Sequence, residues 1–117
     1  MHELSVCQAL MEEVARVARD ERAQRIVSVT VRIGPLAGVE PALLLSAYPL
    51  ASAGTPAQQS RLILERSEIR VRCLTCGAHS RAEGMRLVCG TCGAWRVEVL
   101  EGEELLLVRV ELEREDE

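Results

Sequence analysis

The sequence predicts an α+β fold: two helices packed on a small, mostly antiparallel sheet, interrupted by a four-cysteine module. Three observations lead to this prediction. The chain has 117 residues, of which 48% are apolar and 27% charged, as expected for one domain with a modest core. Two segments carry helix signals and four carry strand signals. Two closely spaced cysteine pairs stand between the second and third strand segments.

The order of these segments divides the chain. Residues 1–72 plus 97–117 are predicted to form the α+β domain, and residues 73–96 an inserted module that contains the cysteine pairs. The core has to be built from aliphatic side chains, because the chain has no Phe and its only aromatic residues are Tyr48 and Trp95.

The first helix is predicted over about residues 4–20. Its apolar residues recur at alternating gaps of three and four, which places them on one helix face. This stripe consists of Leu4, Cys7, Met11, Val14 and Ala18. Because Cys7 lies on the stripe, we interpret it as a small buried hydrophobic residue.

The second helix is predicted to begin near Pro41, since proline suits the first helical position. Val39 and Leu44 can then form a hydrophobic staple at its start. Pro49 falls inside this helix and is expected to kink or end it, because proline lacks the N–H that a helix interior requires.

Four segments are predicted as strands, at 26–33, 62–72, 95–100 and 105–112. Gly34 and Pro35 end the first of them. The last strand places apolar residues on one face and charged residues on the other. These are Leu106, Val108, Val110 and Leu112 against Arg109, Glu111 and Glu113.

The charge distribution bears on possible partners. The net charge is −4, which argues against a strongly cationic nucleic-acid-binding protein. The segment Arg70–Arg96 carries five arginines against one acid, Glu83, and therefore +4. Binding of Zn²⁺ by four thiolates would reduce this to about +2, a mildly basic patch.

The N-terminal segment does not resemble a secretory signal. Acidic residues stand at Glu3, Glu12 and Glu13, and no Lys or Arg precedes Arg16. The longest apolar stretch, 42–54, is shorter than the ~20 residues that a membrane span needs. The sequence therefore predicts a soluble, cytoplasmic protein without a membrane partner.

The four cysteines of the module have the spacing of a metal site. Two residues separate Cys73 from Cys76 and Cys89 from Cys92, twelve residues lie between the pairs, and Gly follows each pair. Two such turns brought face to face make a tetrahedron of four sulfurs, so we interpret the module as a zinc ribbon. The odd fifth cysteine disfavours a disulfide framework.

A closed four-thiolate site has no open coordination position, so the predicted zinc is structural. It would fold a segment with too little apolar mass to fold unaided. His79 lies between the two pairs and is interpreted as a surface residue, because four thiolates already fill the zinc sphere. Nickel binding at His79 is the lesser alternative.

The chain starts with Met1, His2 and Glu3, directly before the first predicted helix. The Met1 amine, the His2 backbone nitrogen and the His2 imidazole can chelate one ion, and the Glu3 backbone nitrogen can fill a fourth position. Four nitrogens in a plane suit Ni(II) or Cu(II). Taken alone, composition favours a solvated histidine at this place.

Three segments together resemble the HypA/HybF family of nickel metallochaperones, which act in [NiFe]-hydrogenase maturation. They are MHELSVCQAL at 1–10, RIGPLAGVEP at 32–41, and the pair CLTCG and CGTCG. The resemblance covers essentially the whole chain. It implies transferable Ni(II) on nitrogens of Met1, His2 and Glu3, and structural Zn(II) on the four cysteines.

The resemblance also implies two partners, the GTPase accessory protein HypB and the hydrogenase large-subunit precursor. It leaves open a role in urease maturation, and the sequence leaves open a homodimer. Glu40 matches a position that is acidic in the family. It could give nickel an oxygen ligand, although capping the second helix is its simpler role.

Two other function classes compete with this hypothesis. A zinc-ribbon module that binds nucleic acid or another protein is the alternative, motivated by the arginines near the cysteines. The overall acidity and the scarcity of aromatic residues disfavour nucleic acid. An enzyme is not predicted, because the sequence has no nucleophile–base signature, no phosphate loop and no open zinc set.

Overall fold

The structure is a computed structural model and describes residues 3–114. In this part of the chain, helices and strands follow one another as α1 Glu3–Asp20, β1 Ala23–Ile33, α2 Pro41–Ser52, β2 Arg61–Arg66, β3 Ile69–Cys73, β4 His79–Ala82, β5 Val97–Glu101 and β6 Leu105–Arg114. The strands form two three-stranded sheets, in the orders β2-β1-β6 and β4-β3-β5. The predicted α+β class, with two helices and small antiparallel sheets, is confirmed.

The described residues divide into two compact units. The helical unit comprises residues 3–32, 39–65 and 106–114, and the cysteine unit comprises 33–38 and 66–105. The cysteine unit is wider than the predicted module 73–96, because β3, β5 and the segment 33–38 belong to it. Each unit has buried apolar residues of its own.

In the helical unit, α1 packs against α2. The stripe predicted on α1 is buried except for its first member, Leu4, which is exposed. The buried residues of α1 are Cys7, Leu10, Met11, Val14 and Ala18. β1 is the central strand of its sheet, and even its polar residues Ser28 and Thr30 are buried. The Ser28 hydroxyl is paired, because it donates to Glu111 Oε1 at 3.0 Å.

The start of α2 agrees with the sequence, but its end does not. Pro41 stands in the first turn, Glu40 caps the helix, and the staple residues Val39 and Leu44 are both buried. Pro49 is expected to kink or end the helix, and it does not end it, since α2 continues through it to Ser52. Proline cannot donate the helix bond to the Leu45 carbonyl four residues earlier, and α2 ends three residues after Pro49.

The cysteine unit is built around β3. This strand pairs antiparallel with β4 on one side and with β5 on the other. Ile69, Val71 and Ala82 form the centre of the core, with Leu36, Leu87, Val97 and Val99 packed around them. Because β3 ends at Cys73, this core fixes the direction in which the first cysteine pair leaves the sheet.

Two strand predictions need correction, and one strand was not predicted. The predicted strand 62–72 is broken into β2 and β3, because Ser67 and Glu68 leave the extended pairing between them. The strand predicted to start at Trp95 begins at Val97. β4 was not predicted, since its four residues contain one buried apolar side chain, Ala82, and therefore no alternation.

Among the described residues, neither helix is long and apolar enough to cross a bilayer.

Candidate metal sites

The four predicted cysteines come together in the cysteine unit. Their sulfurs all lie within 4.8 Å of one another. Sγ of Cys73 is 3.6 Å from Sγ of Cys92, and Sγ of Cys76 is 3.7 Å from Sγ of Cys89. A tetrahedron with metal–sulfur bonds of about 2.3 Å has edges of about 3.8 Å, whereas a disulfide would be about 2.05 Å long. The four sulfurs therefore fit a tetrahedral metal ion.

The first cysteine pair is held in shape by its own backbone. Sγ of Cys73 accepts N–H bonds from Thr75 and Cys76, both at 3.3 Å. Gly77 closes the turn with a 3.0 Å bond from its N–H to the Cys73 carbonyl. Its φ of 78° lies in the left-handed region that favours glycine.

The second pair repeats this arrangement. Sγ of Cys89 accepts N–H bonds from Thr91 and Cys92, again both at 3.3 Å. Gly93 donates to the Cys89 carbonyl at 3.0 Å and has a φ of 77°. Two turns of the same geometry therefore present two sulfurs each.

Further bonds attach the pairs to the sheet and to each other. Leu74 N–H in the first pair donates to the Arg96 carbonyl, which follows the second pair, at 2.9 Å. Gly90 N–H in the second pair donates to Oγ of Ser80 on β4 at 3.0 Å. The sequence reasoning missed the support from Ser80, because it placed no strand at that position.

The electrostatics of the cluster also favour a cation. The N–H of Cys76 is the main cause that lowers the pKa of Cys73 to about 6, and the N–H of Cys92 lowers the pKa of Cys89. On Cys92, the N–H of Ala94 favours the thiolate, but the thiol of Cys73, burial and the remaining sulfurs outweigh it and raise the pKa to about 11. Four crowded thiols can all ionise only when a cation balances their charge.

Three of the arginines around this cluster already contact other side chains. Nε of Arg72 donates to Glu98 at 2.9 Å, and a guanidinium nitrogen of Arg81 donates to Glu68 at 2.9 Å. Arg96 lies over the ring of Trp95 at 5.4 Å. These contacts reduce the basic patch that motivated the nucleic-acid alternative. His79 is exposed on β4, as predicted, opposite Arg72 of β3.

The second predicted site lies mostly outside the described residues, because Met1 and His2 are not among them. Glu3 is the first residue of α1, and its carboxylate accepts an N–H bond from Glu40 at 3.1 Å. The carboxylate of Glu40 in turn accepts from Ala42 N–H at 3.4 Å, which makes Glu40 the cap of α2. The structure thus brings the two predicted acidic residues together at the start of both helices.

Cys7 lies one turn beyond Glu3 and is fully buried, as predicted. Its thiol is 3.6 Å from the Leu44 carbonyl, to which it donates across the contact between α1 and α2. Burial, together with the charge of Glu3, raises the pKa of this thiol. Cys7 therefore packs the helices together beneath the Glu3–Glu40 contact. The Glu3 side-chain contact had no signal in the sequence, which indicated only the Glu3 backbone nitrogen.

The family model described as hydrogenase/urease nickel incorporation, metallochaperone, hypA matches residues 1–112. The chain is 46% identical over 112 residues to a hydrogenase maturation factor HypA of Nitrosospira multiformis, covering 96% of this chain and 97% of that protein. It is 35% identical over 113 residues to the HypA of Aquifex aeolicus, covering 97% and 98%.

Solved structures agree with the fold. One, described as a solution structure of HypA protein, superposes with a TM-score of 0.69 at 25% identity, covering 98% of both chains. The solution structure of the Ni metallochaperone HypA from Helicobacter pylori gives a TM-score of 0.72 at 24% identity, over 98% of this chain and 100% of that chain.

Proposed function

This chain belongs to the HypA family of hydrogenase/urease nickel-incorporation metallochaperones, and we propose on that basis that its first three residues bind Ni(II) and pass it to a recipient during [NiFe]-hydrogenase maturation. The observation that carries the proposal is the contact of Glu3, the first residue of α1, with the start of α2. Glu3 supplies one of the proposed ligands, and this contact ties it to both helices.

The proposed ligands are the Met1 amine, the backbone nitrogen and imidazole of His2, and the backbone nitrogen of Glu3. The first N–H groups of an α-helix are not needed for the hydrogen bonds within the helix, and Glu3 is the first residue of α1. Binding of a metal by a backbone nitrogen in this turn is therefore compatible with the helix. Two deprotonated amides would also neutralise the charge of Ni(II), which removes the penalty for a cation at a helix N-terminus.

Glu40 is the candidate for an additional oxygen ligand. Its backbone N–H donates to the Glu3 carboxylate at 3.1 Å. Glu40 therefore contacts the residue whose backbone nitrogen is one of the proposed ligands. Its carboxylate caps α2 through Ala42. Nickel binding by Glu40 would therefore compete with a capping bond, which makes it a replaceable ligand suited to release.

We further propose that Cys73, Cys76, Cys89 and Cys92 hold Zn(II). The supporting observations are the two sulfur–sulfur distances of 3.6 and 3.7 Å and the N–H bonds onto Cys73 and Cys89. Zinc would supply charge compensation and a fixed tetrahedral crosslink, with no open position for a substrate. The chain's own residues would orient the sulfurs, and the protein would carry metal without catalysing a reaction.

The proposed partners follow from the family. HypB, a GTPase accessory protein, and the hydrogenase large-subunit precursor are the proteins with which the loaded chain would exchange nickel. Urease is a second possible recipient, consistent with the wording of the family description. Handing on the ion requires ligands that a recipient can replace one at a time, and a chelate at a chain end meets this requirement better than an enclosed site.

The test is a nickel titration of the untagged protein by calorimetry, with zinc measured in parallel. We expect His2→Ala to weaken nickel binding by more than the roughly 10–100-fold that loss of an outer-shell partner costs, with zinc content and fold unchanged. His79→Ala is the matched control, because it removes the chain's other histidine, and it should bind nickel like the wild type.

A second arm removes the α-amine as a ligand, either by acetylating it or by placing an extension of several residues before Met1, and this should also abolish tight binding. Binding should weaken below neutral pH, because an α-amine and an imidazole, which titrate at about 8 and about 6.5 in model peptides, must lose their protons to bind a metal. If nickel affinity is unchanged in both His2→Ala and the extended chain, the proposed site is wrong.

A further inference from the structure

β6 is an edge strand with an unusual surface. It has one sheet neighbour, β1, and runs for ten residues, from Leu105 to Arg114. The backbone groups on its other side have no strand to pair with in the described part of the chain. Exposed edge strands are usually short or protected by charge. On β6, however, Leu106 is 51% exposed and Val108 is 38% exposed.

A groove follows this strand. It has a volume of about 500 Å³ and is lined by Val17 and Glu21, near the end of α1, and by residues from both faces of β6, namely Leu107, Val108, Arg109, Val110, Leu112 and Arg114. All of these residues belong to the helical unit. The groove gives an incoming strand room for apolar side chains next to those that β6 already exposes.

The sequence of β6 is complementary to itself. Around Val110, the residues read Val108, Arg109, Val110, Glu111 and Leu112. If a second β6 is laid antiparallel with Val110 opposite its own copy, Arg109 falls opposite Glu111 and Val108 opposite Leu112. Opposite charges and apolar pairs directly across a sheet are the favourable combinations.

Other registers bring like charges together. Centring the pair on Arg109 places arginine opposite arginine, and centring it on Glu111 places glutamate opposite glutamate, although Arg109 then falls opposite Glu113. Registers shifted by one residue turn the apolar face of one strand to the charged face of the other. Of these three centred registers, only the one on Val110 has no like charges facing each other, although Leu107 then falls opposite Glu113 and Leu106 opposite Arg114.

We propose that β6 binds β6 of a second copy of this chain, antiparallel and centred on Val110, so that two three-stranded sheets join into one of six strands. The interface is isologous, as in most homodimers. Arg109 can take part because it is 64% exposed, and its contact with Glu65, at 3.6 Å, is long. Glu111 also accepts from Ser28, at 3.0 Å, and a carboxylate can accept both bonds.

The test uses charge reversal, read by light scattering and sedimentation of the untagged full-length chain. The wild type should have twice the 12.9 kDa mass of one chain at tens of micromolar. Arg109→Glu and Glu111→Arg should each be monomeric, because each places like charges opposite one another. Mixed in equal amounts, the two variants should restore the doubled mass, because residue 109 of each chain then faces residue 111 of the other with opposite charge. The double variant R109E/E111R should self-associate like the wild type.

Controls separate this result from unfolding and from a general effect of charge. Arg16→Glu changes the net charge as Arg109→Glu does, but on the exposed side of α1, and should leave the dimer intact. Circular dichroism and bound zinc should be unchanged in all variants. A monomeric wild type, or single variants that remain dimeric, would overturn the proposal. So would a mixture that stays monomeric while both variants are folded. Nickel and zinc binding by a monomer would leave the proposed function standing.

Discussion

The two candidate metal sites are built in opposite ways. In the cysteine unit, four side chains from two separate turns converge, and backbone N–H groups fix Cys73 and Cys89 before any ion arrives. At the N-terminus, the proposed ligands are consecutive, and three of the four nitrogens belong to the main chain. One site depends on the fold, and the other depends on the position of the chain end. The first arrangement suits retention of a metal, and the second suits its exchange.

The same contrast extends to stability. The buried core of the cysteine unit is small, centred on Ile69, Val71 and Ala82. The helical unit buries five residues on α1 alone. We therefore expect the cysteine unit to need its metal to stay folded. The stability of the helical unit should not depend on whether nickel is bound.

The largest effect should follow loss of one cysteine ligand. Cys92→Ser should reduce bound zinc from one equivalent to none and unfold the cysteine unit, since structural zinc contributes about 10–16 kcal/mol in zinc-finger peptides at neutral pH. The measurements are metal analysis and amide exchange at Val71 and Val99. Both amides should lose protection, while those of Val14 and Val29 in the helical unit keep it.

Cys7→Ala is the matched control, because it removes a cysteine that is buried in the helical core. It should keep one equivalent of zinc and full protection in the cysteine unit. If Cys92→Ser kept its zinc or its exchange protection, the contrast between the two units would fail.

Sequence reasoning predicted the features that are local or periodic. The bounds of α1, burial of Cys7 and the grouping of the four cysteines follow from spacing, and the start of α2 follows from the preference of proline for the first turn. Each depends on a repeat or a motif that a short window contains. The cysteine cluster could be predicted because two short turns, each followed by glycine, allow few other arrangements of the four sulfurs.

The missed features depend on tertiary context. β4 is too short to alternate, and it is a strand because β3 offers it a partner. The break between β2 and β3 separates two sheets, which no property of Ser67 or Glu68 indicates. α2 continues through Pro49 to Ser52, although proline disfavours a helix interior, and nothing in the local sequence indicates this. The contact between Glu3 and the Glu40 N–H joins residues 37 positions apart, beyond the reach of any sequence window.

A smaller effect is expected in the cysteine unit from Gly34→Ala. A Cβ on Gly34 would lie 2.1 Å from the backbone oxygen of Gly102, so one of the two segments has to move. The bonds from Gly34 N–H to Glu104 at 2.8 Å and from Leu36 N–H to Gly102 at 2.7 Å would weaken with it. We expect a loss of about 1–3 kcal/mol, as for overpacking, measured by denaturant unfolding of the zinc-loaded protein.

Gly38→Ala tests whether close approach rather than backbone conformation is responsible. Gly38 lies in the same segment, with a φ of 76° and open space where its Cβ would be. Its substitution should cost about 1–2 kcal/mol through the left-handed backbone alone and should leave the bonds between Gly34 and Glu104 intact. Equal loss of protection at Leu36 in both variants would mean that the close approach is not what matters.

The smallest effect should distinguish the main chain of Glu3 from its side chain. Glu3→Gln keeps the backbone nitrogen that we propose as a nickel ligand, and it keeps an oxygen that can accept from Glu40 N–H. It removes a charge from the first turn of α1, which is worth about 0.3–1 kcal/mol.

Nickel affinity should therefore stay within about twofold of the wild type while the free energy of unfolding falls slightly. The pKa of Cys7 should also fall, since the charge of Glu3 contributes to raising it, and this can be followed by thiolate absorbance. A large loss of nickel affinity in Glu3→Gln, with the fold intact, would show that the carboxylate binds the ion. The N-terminal site would then resemble the cysteine site, because both would depend on side chains that converge on the ion. The two sites would differ only in where their ligands lie in the sequence.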